Sequence, residues 1–262
     1  MTRESVNYDA IASTYNQRFD EADRPAIARA LENLARSCEA RCILEVGCGT
    51  GRWLAALSNI ADCCHGLDLS AGMLAQAQTH GTHIHLTRGR GGVLPFPNAT
   101  FDMIYCVNAI HHFTKQHAFI REAWRLLRPG GVFATIGTYP HDRRDSWYVY
   151  DYFDGTYETD LARFPSRKTV LDWVAGAGFQ QIKHQIIETI VDHKVGRTIL
   201  DDLFLQKHAT SQLALLSDAA YARGRHKLET DIATAEANRQ TLVFQAEIKM
   251  ELLSGQRPGK RH

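Results

Sequence analysis

The chain has 262 residues, a formal net charge of +1 and 44% hydrophobic residues, which is typical of one large globular domain or one domain with a cap. The near-neutral charge excludes a strongly basic nucleic-acid-binding surface. No apolar run approaches the ~20 residues that span a bilayer, and the N-terminus lacks the apolar core of a signal peptide. We therefore expect a cytoplasmic protein without nucleic-acid or membrane partners.

Strand-like and helix-like segments alternate through the first half of the chain. A helical N-terminal segment is predicted from Tyr8 to about Arg36. Strands are predicted at 41–46, 63–69, 82–87, 101–107 and 132–138. The segment 82–87 alternates, whereas 101–107 is nearly all apolar, as buried parallel strands are. Helices are predicted at 50–60, after the N-cap Ser70, and at 114–127, where 128–131 ends the helix.

This alternation predicts the α/β class, with a doubly wound, mainly parallel, seven-stranded Rossmann-like sheet and helical lid insertions. The pattern changes after Thr138, where 139–166 is rich in aromatic residues. The next predicted elements are a helix capped by Ser166 or Thr169, a sixth strand at 179–190, a helical stretch at 195–238 and a last strand at 241–252. The tail at 255–262 is expected to be disordered.

We thus expect one domain over 1–262 with a helical cap at 1–36 and lid or substrate insertions at 139–166 and 195–238. The last insertion suits a lid or a dimer surface, so a monomer and a homodimer both stay open. The six cysteines have neither C-x-x-C pairing nor the Cys/His spacing of a zinc site. We expect reduced, buried thiols and no metal site.

A glycine-rich loop follows the first predicted strand, with Gly47, Gly49 and Gly51 at alternate positions. Glycine permits the backbone to approach a ligand closely. The dinucleotide fingerprint fails because Arg52 stands where its third glycine belongs, and no Gly-Lys-Ser/Thr of a P-loop follows. Asp68 ends the next strand, where a carboxylate can accept hydrogen bonds from ribose hydroxyls.

Four segments together resemble the motifs of class I S-adenosylmethionine-dependent methyltransferases. They are ILEVGCGTG at 43–51, GLDLSAGML at 66–74, LPFP at 94–97 with FDMI at 101–104, and LLRPGG at 126–131. The resemblance is to the small-molecule branch, the methyltransferase type 11 or ubiquinone/menaquinone biosynthesis type. It implies S-adenosylmethionine as cofactor, S-adenosylhomocysteine as product, and methyl transfer to O, N or C of a small organic molecule.

The resemblance also implies which residues bind the cofactor. The backbone of Gly47 to Gly49 would hold the methionine portion, Asp68 the ribose, and Leu69 with Met73 the adenine. The full expected set is Tyr8, Tyr15, Glu45, Gly47, Cys48, Gly49, Gly51, Asp68, Leu69, Met73, Arg90, Gly91 and Asn108. Arg90 stands where the family usually has an Asp that receives the adenine amino group, and an arginine has donors only. Either adenine is held mainly by stacking and by backbone such as the Gly91 amide, or Arg90 turns outward.

The candidates for chemistry lie at strand ends and in the insertions. His111 and His112 follow the fourth strand and are candidate general bases, since imidazole titrates near neutrality. Tyr8 and Tyr15 resemble a segment that closes over the cofactor, or they anchor a surface helix. The expected acceptor-site residues are His112, Tyr139, His141, Trp147, Tyr150 and Arg163.

Three alternatives stay open beside methyl transfer. An enzyme of this fold can use S-adenosylmethionine in non-methylating chemistry such as cyclisation or decarboxylation. A non-catalytic binding protein would keep the fold without the reaction. A nicotinamide-dependent oxidoreductase is disfavoured by Arg52.

Overall fold

The computed structural model describes residues 6–12, 15–16, 24–81, 84–142 and 145–259. Over these residues the protein contains eight strands and nine α-helices. The first part comprises α1 (Pro25–Ser37), β1 (Cys42–Val46), α2 (Arg52–Leu57), β2 (Cys63–Asp68), α3 (Ala71–Ala77), β3 (Ile84–Arg88), β4 (Phe101–Val107), α4 (Gln116–Leu126) and β5 (Leu127–Gly137). The second part comprises β6 (Ser146–Trp147), α5 (Tyr148–Tyr152), α6 (Thr156–Arg163), α7 (Arg167–Gly176), β7 (Gln180–Val195), α8 (Ser211–Ala214), α9 (Asp218–Ala237) and β8 (Val243–Gln256).

The strands form a single mixed sheet in the order β3-β2-β1-β4-β5-β8-β6, with β7 paired to β8. Strands β1 to β5 are mutually parallel, whereas β8 runs antiparallel to β5, β6 and β7. The reversal of strand order between β1 and β4 creates a topological switch point, where ligands bind at the carboxyl ends of parallel strands. The predicted doubly wound α/β fold is confirmed.

Helices cover both faces of the sheet because its central strands are apolar on both sides. In β4, Met103 and Tyr105 pack toward α1 and α2, while Ile104 and Cys106 pack toward α4 and α7. All four side chains are fully buried. Burial of both faces is what a near-continuous apolar strand specifies, and the predicted bounds of β4 are confirmed.

Two helix starts follow the predicted caps. The Ser70 hydroxyl accepts a hydrogen bond from the Met73 amide at the start of α3. The Ser166 hydroxyl accepts one from the Thr169 amide at the start of α7. Each cap satisfies an amide that has no partner inside its helix.

Two predicted boundaries are wrong, the start of the fifth strand and the start of the disordered tail. The helix α4 ends at Leu126, as predicted to within one residue, but β5 begins directly at Leu127 and not at Val132, so residues 128–131 belong to the strand. The tail is ordered through residue 259, because Arg257 contacts both β5 and α4. Its amide donates to the Gly131 carbonyl of β5 over 2.8 Å, and its guanidinium lies 4.0 Å from the centre of the Trp124 ring of α4. Residues 260–262 lie outside the described residues.

The N-terminal helix is shorter than predicted. A single 3-10 turn occupies Tyr8–Ala10, and α1 begins at Pro25, whose fixed φ suits the first helical position. The predicted helix over 13–14 and 17–23, and the first two residues of the predicted strand at 82–87, lie outside the described residues.

The chain between β5 and β8 builds a third apolar cluster beside the sheet. Strands β7 and β8 form a long hairpin, and the helical segment between them returns α9 against α5. Buried Phe153, Leu213, Leu228 and Phe244 join the two inserted regions. No helix in the described part of the chain is both long and apolar enough to cross a bilayer.

Candidate active site

The glycine loop between β1 and α2 adopts backbone conformations that favour glycine. Gly47 has a φ of 76°, and a Cβ there would lie 2.6 Å from the Cβ of Ala109. Gly49 has a φ of 52°, and a Cβ there would point into open space. The amides of Gly47 and Cys48 both donate to the Leu67 carbonyl, over 2.7 and 3.1 Å. The loop is thus fixed against β2 and leaves a cradle in front of Gly49.

Asp68 joins this loop to the turn after β2. One carboxylate oxygen accepts a hydrogen bond from the Gly49 amide at 2.8 Å, and the other accepts one from the Ser70 amide at 2.9 Å. Burial raises the pKa of Asp68, and these amide hydrogen bonds oppose the shift. Since a carboxylate offers about four acceptor sites, Asp68 can still accept two further hydrogen bonds.

A cavity of about 810 Å³ opens at the carboxyl ends of β1, β4 and β5. The predicted residues that line it are Tyr8, Tyr15, Glu45, Gly47, Cys48, Gly49, Asn108, His111, His112, Trp147 and Tyr150. Its walls therefore come from the glycine loop, the end of β4, the N-terminal segment and the insertion after β5. Clefts of this size hold small organic molecules.

Six predicted cofactor residues do not line the cavity, namely Gly51, Asp68, Leu69, Met73, Arg90 and Gly91. Leu69 is 53% exposed and Arg90 is also exposed, so both are accessible to a ligand beside Asp68. Gly51 caps α2, where a Cβ would lie 2.9 Å from the Cβ of Ala77. Gly91 is buried, with its Cβ position 3.0 Å from the Phe113 ring.

The burial of Met73 contradicts its predicted role as an adenine contact. The side chain is only 2% exposed and packs against Ile11 and Ala12 of the N-terminal segment. The physical reason is that the segment covers this side of α3, so Met73 is core and not ligand surface.

The N-terminal segment is held over the cavity by side-chain hydrogen bonds. Asp9 accepts from the Ser70 hydroxyl at 2.6 Å and from the Gly72 amide at 2.8 Å. The Tyr8 hydroxyl lies 2.9 Å from His112 Nε2, so the segment also reaches the end of β4. The role of Asp9 was not predicted, because nothing near this residue in the sequence indicates that it bonds to a turn about 60 residues away.

Two buried or strained groups mark the floor of the cavity. Glu45 is 1% exposed and accepts a hydrogen bond from the Tyr105 hydroxyl at 3.2 Å. Burial raises the pKa of Glu45 well above its usual range. Asn108 has a φ of 48°, and its amide donates to the Ile136 carbonyl at 2.8 Å. Asparagine adopts the left-handed region more readily than most non-glycine residues, and in this conformation Asn108 forms part of the cavity wall.

The two adjacent histidines have different surroundings. His111 is buried, and its ring stacks on Phe164 with centroids 3.8 Å apart and planes 13° apart. Burial, His112 and Arg163 hold the pKa of His111 well below its usual range. His112 is exposed to the cavity. Desolvation of its ring by the surrounding residues, together with the Arg163 charge, lowers the pKa of His112. His112 is therefore the member of the pair that a ligand can reach.

Arg163, an expected acceptor-site residue, does not line the cavity, because its side chain is bound by other residues. Arg163 is 6% exposed and donates to Asp160 at 2.6 Å. Asp160 also accepts from the Tyr150 hydroxyl at 2.7 Å and from the Gln212 amide at 2.6 Å. Tyr150 and Gln212 line the cavity, so the buried ion pair fixes two cavity residues from behind.

Two other predicted acceptor-site residues also lie away from the cavity. Tyr139 is 7% exposed and belongs to the core packed around α4 and α7. His141 is exposed, and its Nε2–H donates to the Leu161 carbonyl at 2.7 Å. Gln212 and Phe204, which line the cavity from the insertion between β7 and β8, were missed. Neither follows a strand end or belongs to a motif.

Comparison with known proteins shows which proteins the chain resembles. Residues 43–131 match the family model described as a methyltransferase domain. The chain is 33% identical over 102 residues to a probable S-adenosylmethionine-dependent methyltransferase of Mycolicibacterium smegmatis, covering 39% of this chain and 40% of that one. The chain spans about two fifths of the length of this relative and of another at the same identity.

Two longer matches cover most of the fold. The chain is 28% identical over 213 residues to the malonyl-[acyl-carrier protein] O-methyltransferase of Herminiimonas arsenicoxydans, covering 77% of this chain and 73% of that one. A candidate methyltransferase from an antibiotic biosynthesis pathway of Anabaena variabilis has a solved structure with a TM-score of 0.69. That structure is 21% identical, and the match covers 87% of this chain and 96% of the other.

Residues 43–131 are similar to a methyltransferase domain, and most of the chain shares the Rossmann-like fold of solved methyltransferase structures. The cofactor named for these relatives is S-adenosylmethionine. The residues fit this group. A Cβ at Gly49 would enter the open cradle, and Asp68 keeps acceptor capacity beside the exposed Leu69.

Proposed function

We propose that this protein transfers a methyl group from S-adenosylmethionine to an O, N or C atom of a small organic molecule. The observation that carries the proposal is the continuity of one cavity, which runs from the glycine loop to the aromatic side chains of the insertions. A cavity of about 810 Å³ has room for the amino-acid portion of the cofactor and for a second small molecule, while Asp68 and Leu69 lie outside its walls beside the glycine loop, where the nucleoside would bind. The malonyl-[acyl-carrier protein] and Anabaena proteins support a metabolic acceptor.

The cofactor half of the site is assigned to the loop residues. When bound, S-adenosylmethionine supplies a methyl group on a sulfonium, which is already activated. The backbone at Gly47 and Gly49 would hold its amino-acid portion, and Asp68 would accept hydrogen bonds from the ribose. Leu69 would lie against the adenine from its exposed position. Arg90 is exposed and would bring no acceptor to the adenine amino group, so stacking would carry that contact.

Glu45 would recognise charge at the floor of the same half. Its carboxyl is buried and hydrogen-bonded to Tyr105, and burial favours its neutral form. A cationic ammonium brought beside it would favour the ionised form, because an opposite charge lowers the pKa of a carboxyl. Cofactor binding would then be accompanied by proton release from Glu45.

The acceptor half is assigned to the inserted aromatic residues. Trp147 and Tyr150 line the cavity opposite the glycine loop, with ring centroids 5.1 Å apart. The buried Asp160–Arg163 pair holds the Tyr150 hydroxyl in one orientation. Fixed side chains align an acceptor with the methyl group, and alignment alone can contribute ~7–11 kcal/mol to a reaction of this kind.

His112 would hydrogen-bond the acceptor. It faces the cavity and stays neutral because its pKa is lowered, so one ring nitrogen can accept a hydrogen bond. The Tyr8 hydroxyl orients the ring from the N-terminal segment. Closure of that segment would also exclude water from the reacting groups. His111, which is buried against Phe164, would support His112 and not take a proton.

The experiment is the detection of S-adenosylhomocysteine in reactions with panels of small carboxylates, phenols, amines and thioester-linked acids. We expect release with one class and a loss of at least tenfold in Tyr150→Phe at unchanged cofactor affinity. If S-adenosylmethionine binds and a compound of the panel is converted, but no S-adenosylhomocysteine is formed, the result would support the non-methylating alternative. Binding of the cofactor with no conversion of any compound would support a binding protein.

A further inference from the structure

The described residues contain a cluster of soft ligand atoms at the end of the sheet opposite the cavity. Cys42 and Cys63 are the first residues of β1 and β2 and face each other in register. His65 lies two residues further along β2, so its side chain points to the same face as that of Cys63. The cavity, by contrast, lies at the carboxyl ends of these strands.

The geometry of the cluster is close to that of a metal tripod. Cys63 Sγ lies 3.1 Å from His65 Nε2, and the two sulfurs and this nitrogen all lie within 4.8 Å of one another. With metal–sulfur bonds of about 2.3 Å and metal–nitrogen bonds of about 2.0 Å, tetrahedral ligand atoms lie roughly 3.4–3.8 Å apart. Small rotations of the two thiol side chains would therefore bring all three atoms onto one ion.

The surroundings fix the imidazole in place. The ring of His65 contacts Phe96 and Phe101 edge-on, at 5.8 and 5.3 Å between centroids. The ring of His85, its register partner on β3, lies 4.9 Å away. An oriented ligand ring in an apolar shell is the environment that tunes protein metal sites. All three ligand residues are partly exposed, which leaves a path for an ion and a fourth position for water.

We propose that Cys42, Cys63 and His65 form a binding site for Zn²⁺ that clamps the first two strands together. Two thiolates and a neutral imidazole are the ligand set that zinc prefers, with water completing the tetrahedron. Binding transfers both thiol protons to solvent. The resulting centre is electrically neutral, so partial burial carries little charge penalty. The proposal replaces the expectation of no metal site, which considered spacing along the chain and not register between strands.

Cobalt substitution tests the site directly. The full chain, reduced and freed of metal with a chelator, is titrated with Co²⁺ while the thiolate-to-cobalt charge-transfer and visible bands are recorded. We expect one equivalent to give the bands of a tetrahedral thiolate site, and Zn²⁺ to displace them. Cys63→Ser and His65→Gln should each lose them. Cys38→Ser, which changes another partly buried thiol, should keep them.

Thermal unfolding gives a second reading that does not depend on spectra. Zn²⁺ should raise the Tm of the wild-type chain and of Cys38→Ser, and should leave the Tm of a folded Cys63→Ser unchanged, because a ligand stabilises only the state that binds it. Absence of the cobalt bands in the wild-type chain would overturn the proposal. Retention of the same bands and the same Tm rise in Cys63→Ser would overturn it equally.

Discussion

Replacing Asp68 by alanine tests the assignment of the cofactor half of the site. The carboxylate accepts hydrogen bonds from the Gly49 and Ser70 amides and keeps acceptor capacity for two ribose hydroxyls. Hydrogen bonds to a charged group contribute roughly 1.5–3 kcal/mol each. Taking the lower end for two bonds at a partly exposed group, we expect a loss of about 3 kcal/mol, or a roughly hundredfold higher Kd.

The assay is calorimetric titration of Asp68→Ala with S-adenosylmethionine and with S-adenosylhomocysteine. Both ligands carry the same ribose, so both affinities should fall by a similar factor. Asp62→Ala is the matched control, because it removes an exposed carboxylate that pairs with Arg41 on the surface. Its Kd should stay within about twofold of the wild-type value, because neither Asp62 nor Arg41 lines the cavity. A folded Asp68→Ala variant with wild-type affinity would refute the reasoning.

Three further changes have defined expectations. Asp9→Ala removes the acceptor that holds the N-terminal segment to α3, so S-adenosylmethionine should bind more weakly and dissociate faster in stopped flow; an unchanged dissociation rate would contradict closure. Burial raises the pKa of Glu45, so folding takes up a proton between its unfolded and folded pKa values, and stability should fall as pH rises through that window. Glu45→Gln should flatten the slope, as measured by urea unfolding between pH 5 and pH 8, and an identical slope would contradict this. Arg163→Met leaves the carboxylate of Asp160 buried without its cation and should cost about 3–5 kcal/mol in unfolding free energy; a cost below about 1 kcal/mol in urea unfolding would show that the pair is dispensable.

The central strands, the helix caps and the glycine loop were predicted correctly from residues close together in the sequence. The bounds of β4 follow from its nearly continuous apolar run, in which only Asp102 is charged. Ser70, and Ser166 or Thr169, were predicted as caps because a hydroxyl just before an amphipathic segment satisfies a free amide. The glycine loop and Asp68 were predicted for the same reason, since each lies at the end of a buried strand. These features are set by residues within a few positions of one another.

The acceptor side depended on contacts between distant parts of the chain. Nothing local to Arg163 indicates that Asp160 would bury it, or that Gln212 would join the same carboxylate from the second insertion. The pairing of Cys42 with Cys63 likewise arises from strand register. Predicting such contacts requires the packing of the insertions and the order of the strands, which periodicity alone does not determine.

The central claim is that one cavity holds the cofactor against the glycine loop and leaves the acceptor space beneath the inserted aromatic residues. A crystal structure of the protein with S-adenosylhomocysteine tests it most directly. We predict ribose hydroxyls within hydrogen-bond distance of Asp68, the homocysteine portion along Gly47 and Gly49, and open volume between the sulfur and Tyr150. Product bound elsewhere, or a ribose with no contact to Asp68, would contradict the account.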